Sequence, residues 1–191
     1  MVERTMTLKL KPQPEAKQVS QIIAAAKQNP RMFGDLYLLY AQPVFRYLYS
    51  RMGNVPEAED AAAQTFLAAL ERFPKYRHDG YFASWLFSIA RNKAMDYFRK
   101  QRKEASLEDA ERIPADANLL QQVIKTERIA ALSKLISALS EDEQELIRLR
   151  YVAELNFAEI GHLLGQKEDT VKKTLYRMLA RLKVQLEDYH V

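Results

Sequence analysis

The chain has 191 residues, 48% of them hydrophobic and 28% charged, with 29 Lys and Arg against 25 Asp and Glu for a net charge of +4. That apolar share suffices for a core, which excludes disorder throughout, and the length suits one large domain or two small ones. The lack of cysteine excludes disulfides, thiolate metal sites and a thiol nucleophile, and no apolar run is long enough to span a bilayer or to follow Met1 as a secretory segment.

Only five glycines, among many Ala, Leu, Glu, Lys and Arg, favour helix nearly everywhere, and no run has the two-residue period of a strand. Residues 1–18, with Pro12 and Pro14, read as a flexible tail. A first helix is predicted over 19–28, stopping at Asn29-Pro30. A second spans 32–52 with Phe33, Leu36, Tyr37, Tyr40, Val44, Phe45 and Leu48 at helical spacing and Pro43 placed to kink it. Gly53-Asn54 is a turn. Asn54 caps a third helix that runs to Phe73 and opens with Pro56, Glu57, Glu59 and Asp60. First-turn acids oppose the helix dipole, so capping explains them; a small-residue face headed by acids also suits a basic partner helix.

Residues 74–80 form a polar loop before a fourth helix, 82–102, that ends in cations. Its packing side carries Phe82, Leu86, Ile89, Ala90 and Tyr97, with Ser88, Asn92, Asp96 and Arg99 opposite. The only Trp, Trp85, lies toward the polar side with Tyr81 just ahead of it. Such rings either join the core or offer a stacking platform beside phosphate-binding cations, a single-stranded nucleic-acid surface. Residues 103–117 lack a periodic stripe and hold Pro114, as a linker does. A fifth helix is predicted over 118–139 and a sixth over 141–152, the latter headed by a Ser140/Glu143 capping box.

The last segment, 157–182, reads as two helices hinged at Gly165, with Asn156 and Glu159 forming another capping box. On the second helix Val171, Leu175, Met178, Leu179 and Leu182 share the packing side, while Thr170, Lys173, Tyr176, Arg177 and Ala180 face outward. This is how a helix-turn-helix enters the major groove, where Arg grips guanine and Lys suits phosphate or guanine. An ordinary solvated amphipathic helix shares the pattern. Cations cluster in 91–103 and 172–183, as a nucleic-acid footprint requires. No metal, phosphate-loop or nucleophile constellation appears, and His78, His162 and His190 are scattered, so no catalysis, cofactor or metal is expected; His162 reads as a surface residue.

Three segments in order carry a resemblance: AEDAAAQTF over 58–66, FASWLFSIARNKAMDY over 82–97, and LSEDEQ, LRYV, FAEI and TVK over 139–144, 149–152, 157–160 and 170–172. They resemble the AEDVVQETF, FRxWLxxIARNxAxDxxR and region 4 signatures of the bacterial sigma-70 family. The resemblance is to its extracytoplasmic-function (ECF) sigma factors and covers about 32–186, without room for a region 3 domain. It implies an all-α fold of two helical domains, the C-terminal one a helix-turn-helix: tail 1–18, region 2 over 19–103, linker 104–127 and region 4 over 128–191. It further implies a non-catalytic, cytoplasmic initiation subunit that binds core RNA polymerase through the β′ coiled coil and the β flap, reads −10 and −35 promoter elements and helps open the duplex.

On these positions the resemblance assigns −35 DNA to Thr170, Lys172, Lys173, Tyr176, Arg177 and Arg181. It assigns −10 reading and melting to Tyr81, Trp85, Ser88, Arg91, Asn92, Asp96, Arg99 and Lys100, with base-reading groups in loop 75–81 and Arg102 and Lys103 on phosphates. Core binding falls to Glu57, Glu59, Asp60, Gln64 and Phe66, and an anti-sigma factor is an expected partner. The chain departs from the family at Ala63-Gln64, where Gln-Glu is usual, and at Lys173, where a small Ser is usual, so core contact and −35 preference should differ. A stand-alone helix-turn-helix regulator is the competing expectation; it would have no use for the aromatic and basic surface of 81–103.

Overall fold

The helical expectation is met: the computed structural model describes residues 16–105 and 127–188, and every regular element among them is a helix. In the first half these are α1 (Ala16–Gln28), α2 (Phe33–Met52), α3 (Val55–Arg72) and α4 (Phe82–Ala105). Helix α1 begins at Ala16, earlier than the expected 19, and buries Val19, Ile23 and Ala26 as one stripe against α2. Helix α2 is continuous through Pro43 and ends at Gly53, whose left-handed φ of 68° closes the turn. It buries Phe33, Leu36, Tyr40, Val44 and Leu48 as expected, and also Tyr47. Tyr37 instead stays half-exposed, edge-on to Phe66.

The Asn54 side chain accepts from the Glu57 N–H at 3.2 Å and starts α3. Small buried residues, Ala58, Ala61, Ala68 and Ala69, let α3 lie close to α2 and α4. Helix α4 buries Phe82, Ala83, Leu86, Phe87, Ile89, Ala90 and Ala94, a wider surface than one stripe. The excess has a structural cause: the second half of the chain covers its N-terminal end.

That second half contains α5 (Glu127–Ser137), α6 (Glu141–Ile147), a π-helical turn (Arg148–Val152), α7 (Phe157–Leu164) and α8 (Glu168–Asp188). Of the expected fifth helix, 118–126 lies outside the described residues, as does most of linker 104–127. The expected sixth helix, 141–152, changes character at Arg148, where the bonding widens so that the Ala153 N–H reaches the Arg148 carbonyl at 2.9 Å. Both capping boxes form, at Ser140/Glu143 and Asn156/Glu159. Gly165 ends α7 at φ 66°. Val171, Leu175, Met178 and Leu182 of α8 are buried, as the helical projection predicts. The two halves touch through α4 against α7 and α2 against the π turn.

The turn between α7 and α8 depends on Gly161. A Cβ there would lie 2.6 Å from the Gln166 carbonyl oxygen, which is backbone and cannot yield cheaply. Gly161→Ala should therefore cost about 1–3 kcal/mol through overpacking. Gly34, helical and with nothing within 4 Å of a Cβ, should respond oppositely, gaining about 0.5–1 kcal/mol as Ala. Thermal unfolding followed by circular dichroism should show opposite shifts for the two variants, roughly 2–4 °C per kcal/mol at this size.

Candidate nucleic-acid interface

Helix α8 presents the outward set that the sequence predicts. Thr170, Lys172, Lys173, Tyr176, Arg177 and Arg181 are all exposed, opposite the buried stripe. Tyr176 does not stand alone: its ring meets Phe157 at 5.9 Å, and the Arg150 guanidinium lies 4.8 Å over Phe157. This stack steadies the phenol at the outer edge of the helix-turn-helix. Arg181 pairs with Glu143 at 2.7 Å, which ties the middle of α8 to the start of α6.

The second surface is built by α4 and the loop ahead of it. Lys27 of α1 donates to the carbonyls of Phe73 and Tyr76, each at 2.6 Å, and of Pro74 at 3.1 Å, while its charge lies 5.0 Å over the Phe73 ring. One ammonium thus satisfies three carbonyls and fixes the start of the loop. Tyr76 packs on Trp85 at 4.6 Å and on Phe82 at 5.6 Å. Burial above all, and then Asp79, pushes the Tyr76 phenol well above its ordinary value. His78 joins the loop to α1, with Nε2 2.9 Å from Ser20 Oγ and Nδ1 3.2 Å from the Tyr76 hydroxyl. Trp85 is half-buried: it packs against the core edge and part of the residue meets solvent. The Ser88 hydroxyl donates to the Trp85 carbonyl. Asn92, Asp96, Arg99 and Lys100 are exposed, with Arg99 held to Asp96 at 2.7 Å.

A third surface lies on α3. Glu57, Glu59, Asp60 and Gln64 are exposed, and Gln64 donates to Asp60 at 2.6 Å. Phe66 differs from them: it is buried and holds α3 on Tyr37, so it positions this face and has no free ring to offer. Sequence reasoning missed the apolar part of the face. Leu67 and Leu70 of α3 are exposed, and so is Leu38 of α2, at 77%.

It also missed a charged cluster between the halves. Glu145 of α6 is buried, and its Oε1 accepts from the Tyr47 hydroxyl at 2.6 Å while Oε2 accepts from Arg51 at 3.0 Å. Arg91 Nε and Arg148 stand farther off, at 3.6 and 3.8 Å. Burial first, and then the Glu145 charge, holds the Tyr47 phenol protonated far above its usual range. Burial likewise holds the Arg148 guanidinium below its ordinary value, against the pull of Glu145. Arg51, Arg91 and Arg148 share Glu145, and the exposed Glu141 also pairs with Arg51 at 3.3 Å. Breaking such a pair from one side costs about 3–5 kcal/mol. Arg91 Nε and Arg46 Nε are buried without a hydrogen bond among the described residues, a desolvation cost of about 1–3 kcal/mol each. No sequence signal separated Glu145 from its acidic neighbours except its place one residue before Leu146 on the buried face.

His162 is exposed, as expected of a surface residue, yet it bridges the halves. Its ring stacks on Tyr81 at 4.4 Å and 15°, and Nε2 lies 3.3 Å from Asp79. The Ser84 hydroxyl donates to the Glu159 carbonyl at 2.7 Å, and Arg46 pairs with Glu154 at 3.0 Å. Burial raises the Glu159 carboxyl, with the Asn156 N–H and Arg150 pulling back. Among the described residues no cluster of His, Cys, Asp and Glu could hold a metal ion, and no helix is long and apolar enough to cross a membrane.

Comparison with known proteins fits this geometry. Residues 36–104 match the model of Sigma-70 region 2, and residues 129–182 match that of Sigma-70, region 4. The chain is 34% identical to the ECF RNA polymerase sigma factor BldN of Streptomyces coelicolor over 82% of its length, and spans 61% of that relative. It is 32% identical to SigM of Bacillus subtilis, covering 78% of this chain and 91% of SigM, and 30% identical to SigW of the same organism, covering 90% and 96%. The fold is shared with CnrH in complex with the cytosolic domain of CnrY, at a TM-score of 0.62, 22% identity and coverage of 88% and 96%. It is shared too with RpoE in complex with the anti-sigma factor NepR from Bartonella quintana, at 0.63, 23%, 81% and 96%.

The Lys27 anchor makes a checkable statement about this surface. Lys27→Met keeps the alkyl stem and removes the donor, losing about 1.5–3 kcal/mol per charged hydrogen bond at most. Hydrogen exchange should then quicken tenfold or so at the Tyr76 amide, which bonds Phe73, with little change in α8. Unchanged exchange at Tyr76 would remove Lys27 from the account of the loop.

Proposed function

Because this chain belongs to the sigma-70 family of RNA polymerase sigma factors, in its ECF group, we propose that it binds core RNA polymerase and directs promoter-specific initiation. The observation that carries the proposal is the pairing of two surfaces in one chain. One is an α8 face of exposed Lys173, Tyr176 and Arg177. The other is an α4 surface with aromatic rings beside cations. A groove-reading helix needs the first; a protein that separates strands needs the second.

In this reading Thr170, Lys172, Lys173, Tyr176, Arg177 and Arg181 meet the −35 element, with Lys173 and Arg177 toward base edges or phosphates. Tyr81, Trp85, Ser88, Asn92 and Asp96 meet the opened −10 strand, loop 75–81 takes an extruded base, and Arg91, Arg99 and Lys100 hold phosphates. Extruding a base costs a few kcal/mol, and stacking on rings at about 1–3 kcal/mol per base offsets it. The acidic α3 face, with Glu57, Glu59, Asp60 and Gln64 beside exposed Leu67 and Leu70, docks the β′ coiled coil of the core enzyme. Where the family has Glu, Gln64 bonds Asp60 and removes a like-charge pair, which changes that contact without abolishing it. The chain supplies no catalytic group, acts in the bacterial cytoplasm, and takes an anti-sigma factor as a partner. That last point draws on RpoE, which was solved with the anti-sigma factor NepR.

Reconstituted core polymerase from the same organism should begin transcription at specific promoters when the chain is added; absence of any specific start would refute the proposal. Lys173→Ala should change the −35 preference in a selection from randomised promoters, with about 1–3 kcal/mol redistributed at one position. A profile identical to wild type would assign Lys173 to phosphate alone. Trp85 is the only Trp, so its emission should change when core enzyme and promoter DNA open together, and stay constant with duplex DNA alone.

A further inference from the structure

We propose that α1, which precedes the stretch matched to region 2, is a brace that sets the shape of loop 75–81, with Lys27 and Ser20 as its positioning residues. The inference rests on the reading of that loop as the place where an extruded base is taken.

The brace has two arms. At the start of the loop the Lys27 ammonium donates to the Phe73 and Tyr76 carbonyls, each at 2.6 Å, and to the Pro74 carbonyl at 3.1 Å. An ammonium has three N–H groups, so all of them are engaged by one bend of backbone. The same charge lies 5.0 Å over the Phe73 ring and 5.9 Å over that of Tyr76. In the middle of the loop His78 Nε2 stands 2.9 Å from Ser20 Oγ. The direction of that bond follows from its neighbours. The Ser20 hydroxyl already donates to the Ala16 carbonyl at 2.8 Å, so its oxygen accepts and His78 Nε2 carries the proton. In the neutral imidazole Nδ1 is then an acceptor, and it takes the Tyr76 hydroxyl at 3.2 Å. Burial raises that phenol and keeps its proton in place. Donation therefore runs one way, from Tyr76 through His78 and Ser20 into the backbone of α1.

These two residues are not needed to hold α1 itself. Val19, Ile23 and Ala26 already bury it against α2. Ser20 and Lys27 stand two turns apart on one side of the helix, beside that stripe, and both reach the segment 73–78. What they fix there is Tyr76, whose ring lies 4.6 Å from Trp85. One wall of the proposed stacking surface is thus placed by a helix outside the family match. A loop already ordered when the base arrives has less freedom left to lose, so capture costs less.

The test uses the full chain, first alone and then with core polymerase on a promoter that the wild-type holoenzyme opens. In the free chain, acrylamide quenching of Trp85 should rise about twofold in Lys27→Met and in Ser20→Ala as the loop loosens. With core enzyme, closed-complex binding should stay near wild type, while strand opening, read by permanganate at −10 thymines, slows about tenfold, what one hydrogen bond is worth as a rate. In a selection from randomised promoters the −10 preference should flatten and the −35 preference stay the same. Ser20→Thr keeps the hydroxyl and should restore opening. Ser20→Ala and His78→Ala should not add, since they remove one bond. Ser20→Ala also raises helix propensity, so slower opening there is not a loss of α1. Unchanged quenching in both variants overturns the proposal, whatever the DNA result. So does wild-type opening in both, equal loss of closed and open complexes, or a Ser20→Thr variant as slow as Ser20→Ala. Normal wild-type initiation with unaffected variants leaves the promoter function standing and removes the brace. A wild-type chain that starts no specific transcription refutes the promoter reading and the base-taking role with it, while raised quenching would still mark α1 as the support of the loop.

Discussion

A single buried carboxylate sets how the two halves of this molecule meet. Glu145 receives the Tyr47 hydroxyl and the Arg51 guanidinium from α2, and draws in Arg91 from α4. A charge removed from water holds its place only if hydrogen bonds replace the lost hydration. Those bonds come from residues far apart in the chain, so the position of α6 against α2 and α4 follows from satisfying one group. The π-helical turn after α6 and the Arg46–Glu154 pair then fall on the flank of α2, and α7 comes to rest on the start of α4.

What was legible in the sequence was mostly local. Capping at Asn54, Ser140 and Asn156, the left-handed Gly165 and the buried stripe of α8 depend on spacing within one helix or turn, and spacing is what a sequence displays. The outward faces of α8 and α3 follow from the same periodicity, as the exposure of Lys173 and Asp60 illustrates. What stayed hidden was contact at long range. Tyr47 falls outside the apolar stripe expected of α2, and its partners, Phe87 and Glu145, lie 40 and 98 positions on. Ser84 and Glu145 carry no local signal, and His162 reads as a plain surface residue, for the same reason. The change to π bonding at Arg148 left no mark either, since an apolar stripe does not reveal which carbonyl an amide chooses. Phe66 shows the converse limit: spacing does not reveal that this motif position is buried edge-on to Tyr37.

The two surfaces proposed to meet nucleic acid are built on different principles. That of α8 stands on a rigid helix whose buried stripe and Arg181–Glu143 tie fix its orientation, which suits reading a preformed groove. The α4 surface draws on a loop held at one end by Lys27 and closed at the other by Gly80, at φ 91°.

Glu154 carries a further consequence. It is the one non-glycine residue with positive φ among those described, at 62°, a strain of about 1–3 kcal/mol, and its carboxylate is what Arg46 grips. Glycine or asparagine would suit that backbone better and would lose the charge. Mutational drift therefore pulls toward a sturdier helix-turn-helix that is less firmly joined to its neighbour. A lineage that keeps glutamate at this position is accepting a weaker fold in exchange for coupling, whereas one that has relaxed to glycine has given the coupling up. The residue at this bend is a record of whether selection has acted on the two halves jointly or one at a time.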